Sequence, residues 1–232
     1  MIRFPIVALL LMSVALVSAG AAFMADPRGG VVDAVVTDDK GKPVEDAVVT
    51  LTSTSTSTST SAPASAPAPP SALIDQVDKE FVPYVLPVYV GTSVSFPNRD
   101  NIRHHVYSFS SAKKFELPLY IGTPAAPVVF PKLGVVALGC NIHDWMLAYI
   151  YVVPTPYFAK TVADGKAHLE GLAPGAWEAR VWHPRMKGEP EKTTKLLTLA
   201  AGEPVQVAFV VSLKTEWRIP RRIDPYKGSQ AN

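Results

Sequence analysis

The chain has 232 residues, 48% of them apolar, and a net charge of +2. That balance provides ample material for a core and excludes a nucleic-acid or polyanion partner held by bulk charge. Pro is abundant at 22, and Val recurs in short runs bounded by Gly and Pro, the texture of an all-β protein.

In chain order, residues 1–21 read as a cleaved export signal. Arg3 supplies the positive start, Phe4 to Val17 the apolar stretch, and Ala19-Gly20-Ala21 the small-residue cleavage site. The apolar run is shorter than the roughly 20 residues that span a bilayer comfortably. A periplasmic or secreted protein, with no stable membrane insertion after cleavage, is the expectation. Residues 29–51 read as a hairpin: a strand over Gly30 to Val36, turn chemistry at Asp38-Asp39-Lys40-Gly41-Lys42-Pro43, and a strand over Val44 to Leu51. Residues 52–72 form a Thr/Ser/Pro/Ala-rich linker without large apolar side chains. Its alternating Thr residues also allow an extension of the preceding strand.

From Ile74 the chain is dense again. Strands are predicted over Val85 to Val90 and Ser93 to Phe96 around a Gly91-Thr92 turn. Others begin at His104, at Lys114, at Pro127 and at Val135. The last of these runs directly into Gly139-Cys140-Asn141-Ile142-His143-Asp144-Trp145-Met146. A strongly β-prone strand, Leu147 to Val153, follows. Residues 155–213 read as a further β unit, with an Asp164-Gly165 turn, a Pro174-Gly175 turn into an alternating strand, and a closing run from Glu203 to Val211. Residues 214–232 form a basic tail.

Cys140 is the only cysteine in the chain. In an oxidising compartment a lone thiol has no partner within its own chain and is open to oxidation, so it is either deeply buried or ligated. His143 lies three positions on and Met146 three beyond that. A thiolate, an imidazole and a thioether on one loop form a soft donor set that points to copper, provided a second histidine arrives from elsewhere. His104-His105 stands at the start of an upstream strand. Adjacent strand residues face opposite sides, so only one of the pair is expected to aim at the metal.

The order of strands, the Asn98-Arg99-Asp100 loop and the spacing Cys140-x2-His143-x2-Met146 resemble the cupredoxin, or type 1 blue copper, family, in its amicyanin branch. The resemblance covers residues 74–153. Its register, with a His six residues after Asn98, selects His104 as the fourth ligand. It implies one type 1 copper on His104, Cys140, His143 and Met146, and a one-electron carrier serving a redox partner protein. In detail the chain is similar to exported methylamine-utilisation-like proteins, although this names no electron donor. Residues 29–51 and 155–213 resemble strands of carboxypeptidase-regulatory-like (transthyretin-like) sandwiches. The expected fold is therefore all-β: a cupredoxin Greek-key sandwich at 73–154 and a second, discontinuous sandwich from 29–51 and 155–213. Residues 29–51 could instead be the first strands of the copper domain.

Three residues around the ligands stand out beside Asn98. Asp144 replaces the Pro of amicyanin-like loops, and a carboxylate there would favour Cu(II). His105 replaces an Asn that bonds across to the Cys-bearing loop; it either does the same through a ring N–H or faces solvent. Trp145 either forms part of a docking patch or packs beneath the loop. His168 and His183 are expected at the surface. With five histidines in all, no second copper cluster can be assembled, and no Gly-rich phosphate loop or Gly-x-Ser-x-Gly motif is present. An enzyme is not expected; a copper-delivery or sensing module and a non-redox surface-binding sandwich are the alternatives.

Overall fold

The computed structural model describes residues 29–54, 71–124 and 126–215. The expected leader, residues 55–70 of the linker and residues 216–232 of the tail lie outside the described residues. Among the described residues the fold is all-β, and no helix is long and apolar enough to cross a membrane.

The chain opens with β1 (Gly30–Asp38) and β2 (Val48–Ser53). β2 begins four residues later than the Val run suggests. Asp46 takes a positive φ of 62°, and its N–H donates to Thr161 O, so residues 44–47 form a second turn instead of a strand. Next come β3 (Ser71–Leu73), β4 (Asp75–Val77), β5 (Glu80–Val82), β6 (Val85–Tyr89) and β7 (Ser93–Ser95). β8 (His104–Ser108), β9 (Phe115–Tyr120), β10 (Val128–Val129), β11 (Gly134–Gly139) and β12 (Leu147–Val153) complete the middle of the chain. β13 (Phe158–Lys160), β14 (Lys166–Leu172), β15 (Gly175–Trp182), β16 (Lys195–Leu199) and β17 (Pro204–Val211) end it. β13 and β16 escape a pattern reading because each is short or lacks clean alternation.

Two sandwiches result. In one, a three-stranded sheet in the order β14-β1-β17 faces a four-stranded sheet in the order β13-β2-β15-β16. β1 pairs antiparallel with β14 and parallel with β17, and β2 pairs antiparallel with β13 and β15. The hairpin expected over 29–51 does not form: β1 and β2 do not pair with each other but enter different sheets, each between strands from the last third of the chain. Strict alternation along β1 sends Val32, Ala34 and Val36 into a core shared with Leu51, Trp177 and Phe209. His168 on β14 is exposed and bonds Asp33 on β1 at 2.7 Å.

In the other, a five-stranded sheet, β6-β12-β11-β8-β9, packs on a smaller β10-β7-β3 sheet around Phe96, Phe130, Leu138 and Ile150. The β4–β5 hairpin forms a separate two-stranded element. Strand β12 is covered on both faces. Ala148, Ile150 and Val152 point into its own core, whereas Tyr149 and Tyr151 meet Trp182, Val48 and Phe158 of the other sandwich. His183, expected at the surface, is only 4% exposed. It follows Trp182 in the chain, and its Nδ1 accepts the Arg185 N–H in a tight turn.

Candidate metal centre

Two strand ends and one loop build the centre. β8 starts at His104, which is fully buried. β11 ends at Gly139, paired opposite Tyr107 of β8, so the next residue, Cys140, emerges beside the His104 end of the sheet. A methyl group at Gly139 would sit 2.8 Å from the Tyr107 ring and hydroxyl, so a larger residue there would have to push the Tyr107 side chain aside. The loop then exposes Asn141 and Ile142, turns at His143, and returns through the Met146 N–H, which donates to His143 O at 2.9 Å. Met146 is 2% exposed and packs in the same core cluster as Cys140.

One donor atom each from His104, Cys140 and His143 lies within 4.8 Å of the other two. Cys140 Sγ stands 4.0 Å from His143 Nδ1, and the two imidazole centroids are 4.9 Å apart at 62°. His104 Nδ1 is buried without any hydrogen-bond partner. A buried ring nitrogen left orphaned costs on the order of 1–3 kcal/mol. His105 Nδ1 and Gln76 Oε1 are buried in the same way, so what sets His104 apart is its place in the group with Cys140 and His143. A metal ion between these donors resolves that cost.

The other nitrogen explains why Nδ1 is the free one. His104 Nε2 lies 2.7 Å from Asp100 Oδ2. Burial pushes the Asp100 carboxyl up, but hydrogen bonds from His104 and from the Lys79 and Asp78 amides outweigh it and hold the group below the usual carboxylate range. An ionised carboxylate can only accept, so Nε2 carries the hydrogen and Nδ1 presents a lone pair. Asp100 was not singled out from the sequence; its spacing to His104 across an irregular loop carries no orientation. His143 is held below the ordinary histidine range, chiefly by burial and then by His104 and Lys79, which favours the neutral ring a metal needs.

Asn98 acts through the loop, not on a ligand. Its side chain donates to Ile102 O and Tyr120 O and accepts the Asp100 N–H at 3.0 Å, fixing the segment that carries Asp100. Tyr120, opposite His104 in the β8–β9 ladder, has its hydroxyl pushed up to about 12 by burial and donates to Phe96 O.

His105 neither faces solvent nor reaches the Cys140 loop. It is 6% exposed, and its Nε2 pairs with Glu116 on β9 at 2.8 Å. The irregular pairing between His104 and Val106 lets both histidines be buried, and the outward side of β8 delivers His105 to its neighbouring strand. Asp144 is exposed on the loop. Trp145 is half-buried, 5.0 Å from the His143 ring, with its indole N–H donating to Lys79 O at 3.0 Å. It packs against the hairpin, and Ile142, at 47% exposed, is the apolar residue of the loop that faces outward.

No family model and no curated protein matches this chain. Solved structures do. A purple cupredoxin from Nitrosopumilus maritimus is 24% identical, with a TM-score of 0.32 over 35% of this chain and 99% of its own. The reduced Cu(I) form of an amicyanin point mutant is 22% identical, with a TM-score of 0.33 over 37% of this chain and 85% of its own. A copper-containing nitrite reductase (NirK) from Thermus scotoductus SA-01 is 25% identical, with a TM-score of 0.34 over 52% of this chain but only 28% of its own.

Proposed function

We propose that residues 73–154 are a cupredoxin domain holding one type 1 copper, and that the protein is an exported one-electron carrier. The observation that carries this reading is the convergence of one donor atom each from His104, Cys140 and His143 within 4.8 Å, with His104 Nδ1 buried and unpartnered. Met146, buried at the end of the same loop, would offer its thioether to the metal as a further, weak ligand. Copper would bring reversible one-electron chemistry; the chain holds two imidazoles and a thiolate in place and keeps water away. His143 is the most accessible ligand and the natural electron portal toward a redox partner protein. With an export signal at 1–21, the work is done in the periplasm or outside the cell.

Among the described residues, His104, Cys140 and His143 are the one group of three or more His, Cys, Asp or Glu that could hold a metal. Addition of Cu(II) to the apo protein, followed by visible absorption, EPR and voltammetry, tests the reading. An intense thiolate-to-copper band near roughly 600 nm and a reversible couple support it. A colourless complex, or irreversible reduction to Cu(I), indicates copper delivery instead.

Asp144 supplies a sharper check. Its exposed carboxylate flanks a ligand and stabilises the more positive Cu(II) state. In water-like screening a unit charge at about 8 Å contributes roughly 0.5 kcal/mol, equivalent to about 20 mV for one electron. Asp144→Asn is expected to raise the midpoint potential by that order, measured at constant ionic strength. An unmoved potential removes Asp144 as a tuning group.

A further inference from the structure

The β4–β5 hairpin touches both halves of the metal centre, although no ligand lies on it. Its two-residue turn, Asp78-Lys79, has positive φ at both positions, 54° and 62°. That is the geometry of a type I′ turn, which normally recruits Asn and Gly; Lys in particular adopts it reluctantly. Both turn amides converge on one carboxylate. Asp78 N–H donates to Asp100 Oδ1 at 2.7 Å and Lys79 N–H to Oδ2 at 2.8 Å, the same oxygen that His104 Nε2 contacts. From the other side of the turn, Lys79 C=O accepts the Trp145 indole N–H. Trp145 packs on His143.

We propose that the Asp78–Lys79 turn is the positioning latch of the metal centre. Through Asp100 it orients the His104 ring, and through Trp145 it holds the loop carrying His143, so both imidazoles keep their spacing before and after metal binding. The hairpin is anchored firmly enough to do this. Gln76 is fully buried, donates its side-chain amide to Phe96 O and Pro97 O, and pairs through its backbone with residues 97 and 99. Arg99 bridges to Asp75 at 2.6 Å. With the root fixed, the turn's three backbone groups tie together residues far apart in the chain. A site whose ligands are held in this way has little to rearrange when an electron arrives.

The proposal rests on the copper reading, and a double-mutant cycle on the full chain separates the two. Trp145→Phe deletes the bond to Lys79 but keeps a ring against His143; Asp100→Asn removes one acceptor and opposes the His104 Nε2–H with an amide. The first measurement uses metal-free protein: amide exchange at Asp78 and Lys79, and the His104 tautomer by nitrogen NMR. Trp145→Phe is expected to speed exchange at both amides about three- to tenfold, the effect of losing one hydrogen bond. Asp100→Asn is expected to shift the His104 tautomer. The second uses Cu(II): the visible band, the EPR hyperfine splitting and the copper dissociation rate. Each single variant is expected to alter the hyperfine splitting and speed dissociation, and the double variant to lose no more than the worse single one, because both act through one turn. Exchange unchanged by Trp145→Phe, or dissociation effects that multiply in the double variant, overturns the latch. Should Asp100→Asn fail to fold by circular dichroism, the Trp145→Phe exchange alone decides. Absence of the intense band in the unaltered protein overturns the copper reading and leaves the exchange result to judge the latch.

Discussion

Cys140→Ser is expected to abolish the intense visible band and to weaken Cu(II) binding by more than about a hundredfold, beyond the 10–100-fold that loss of a group behind a ligand costs. The reason is electronic. The band is a thiolate-to-copper transfer, and a hydroxyl at that position has neither the energy nor the covalency to supply it. Two imidazoles remain, so some copper still binds, in a weakly coloured form with a wider EPR hyperfine splitting. The same substitution carries a folding cost. Cys140 is 3% exposed and belongs to the core cluster around Phe96 and Leu138, where a hydroxyl without a partner costs about 1–3 kcal/mol. Titration of Cu(II) at constant temperature, beside a denaturant melt of both apo proteins, separates the electronic loss from the folding loss. A Cys140→Ser protein that keeps the band unchanged means that the sulfur is not a ligand.

What could be read from the sequence and what could not follows from chain separation. The loop 140–146 was legible because three donor types fall within seven residues, and a strand start on one side and a strand on the other fix where the loop must sit. The strands were legible where alternation was clean, as in β1, or where β-branched residues ran together, as in β12. The side chains that orient the donors were not. Asp100 meets turn amides 21 and 22 residues away, and Trp145 meets a carbonyl 66 residues away. Local periodicity carries nothing about such pairs. His105 illustrates the same limit. A period-two argument sends one of two neighbouring histidines outward, but the β8–β9 pairing is irregular between His104 and Val106, and both rings are buried. The hairpin at 75–82 was hidden for a different reason: its turn uses Asp-Lys where turn chemistry favours Asn-Gly.

The contact between the two sandwiches was equally hidden, yet it predicts the largest change in stability. Leu147 to Val153 reads as apolar on both faces, and both faces are in fact covered. Trp182 stacks on Tyr151 with ring centroids 4.4 Å apart and an interplanar angle of 27°, and meets Tyr149 edge-on at 6.4 Å. It is 8% exposed and forms a cluster with Val48 and Val85, one from each sandwich. Truncating a buried Trp costs about 3–5 kcal/mol, and for a folded region of this size each kcal/mol lowers Tm by roughly 2–4 °C. Trp182→Ala is therefore expected to lower the apo-protein Tm by about 10 °C. It is also expected to split one unfolding transition into two, because the cluster it removes is the hydrophobic contact between the sandwiches. The copper band at 25 °C should stay in place: Trp182 packs on the outer face of β12, while Cys140 and Met146, the proposed ligands, belong to the cluster on its inner face. Calorimetry of the apo protein and the visible spectrum of the loaded one decide the matter together. A Tm shift below about 2 °C would mean the sandwiches do not share this core in solution, since a stacked, buried Trp cannot be removed so cheaply. A displaced band would mean that the second sandwich reaches the metal centre through β12, making it part of the site's scaffold.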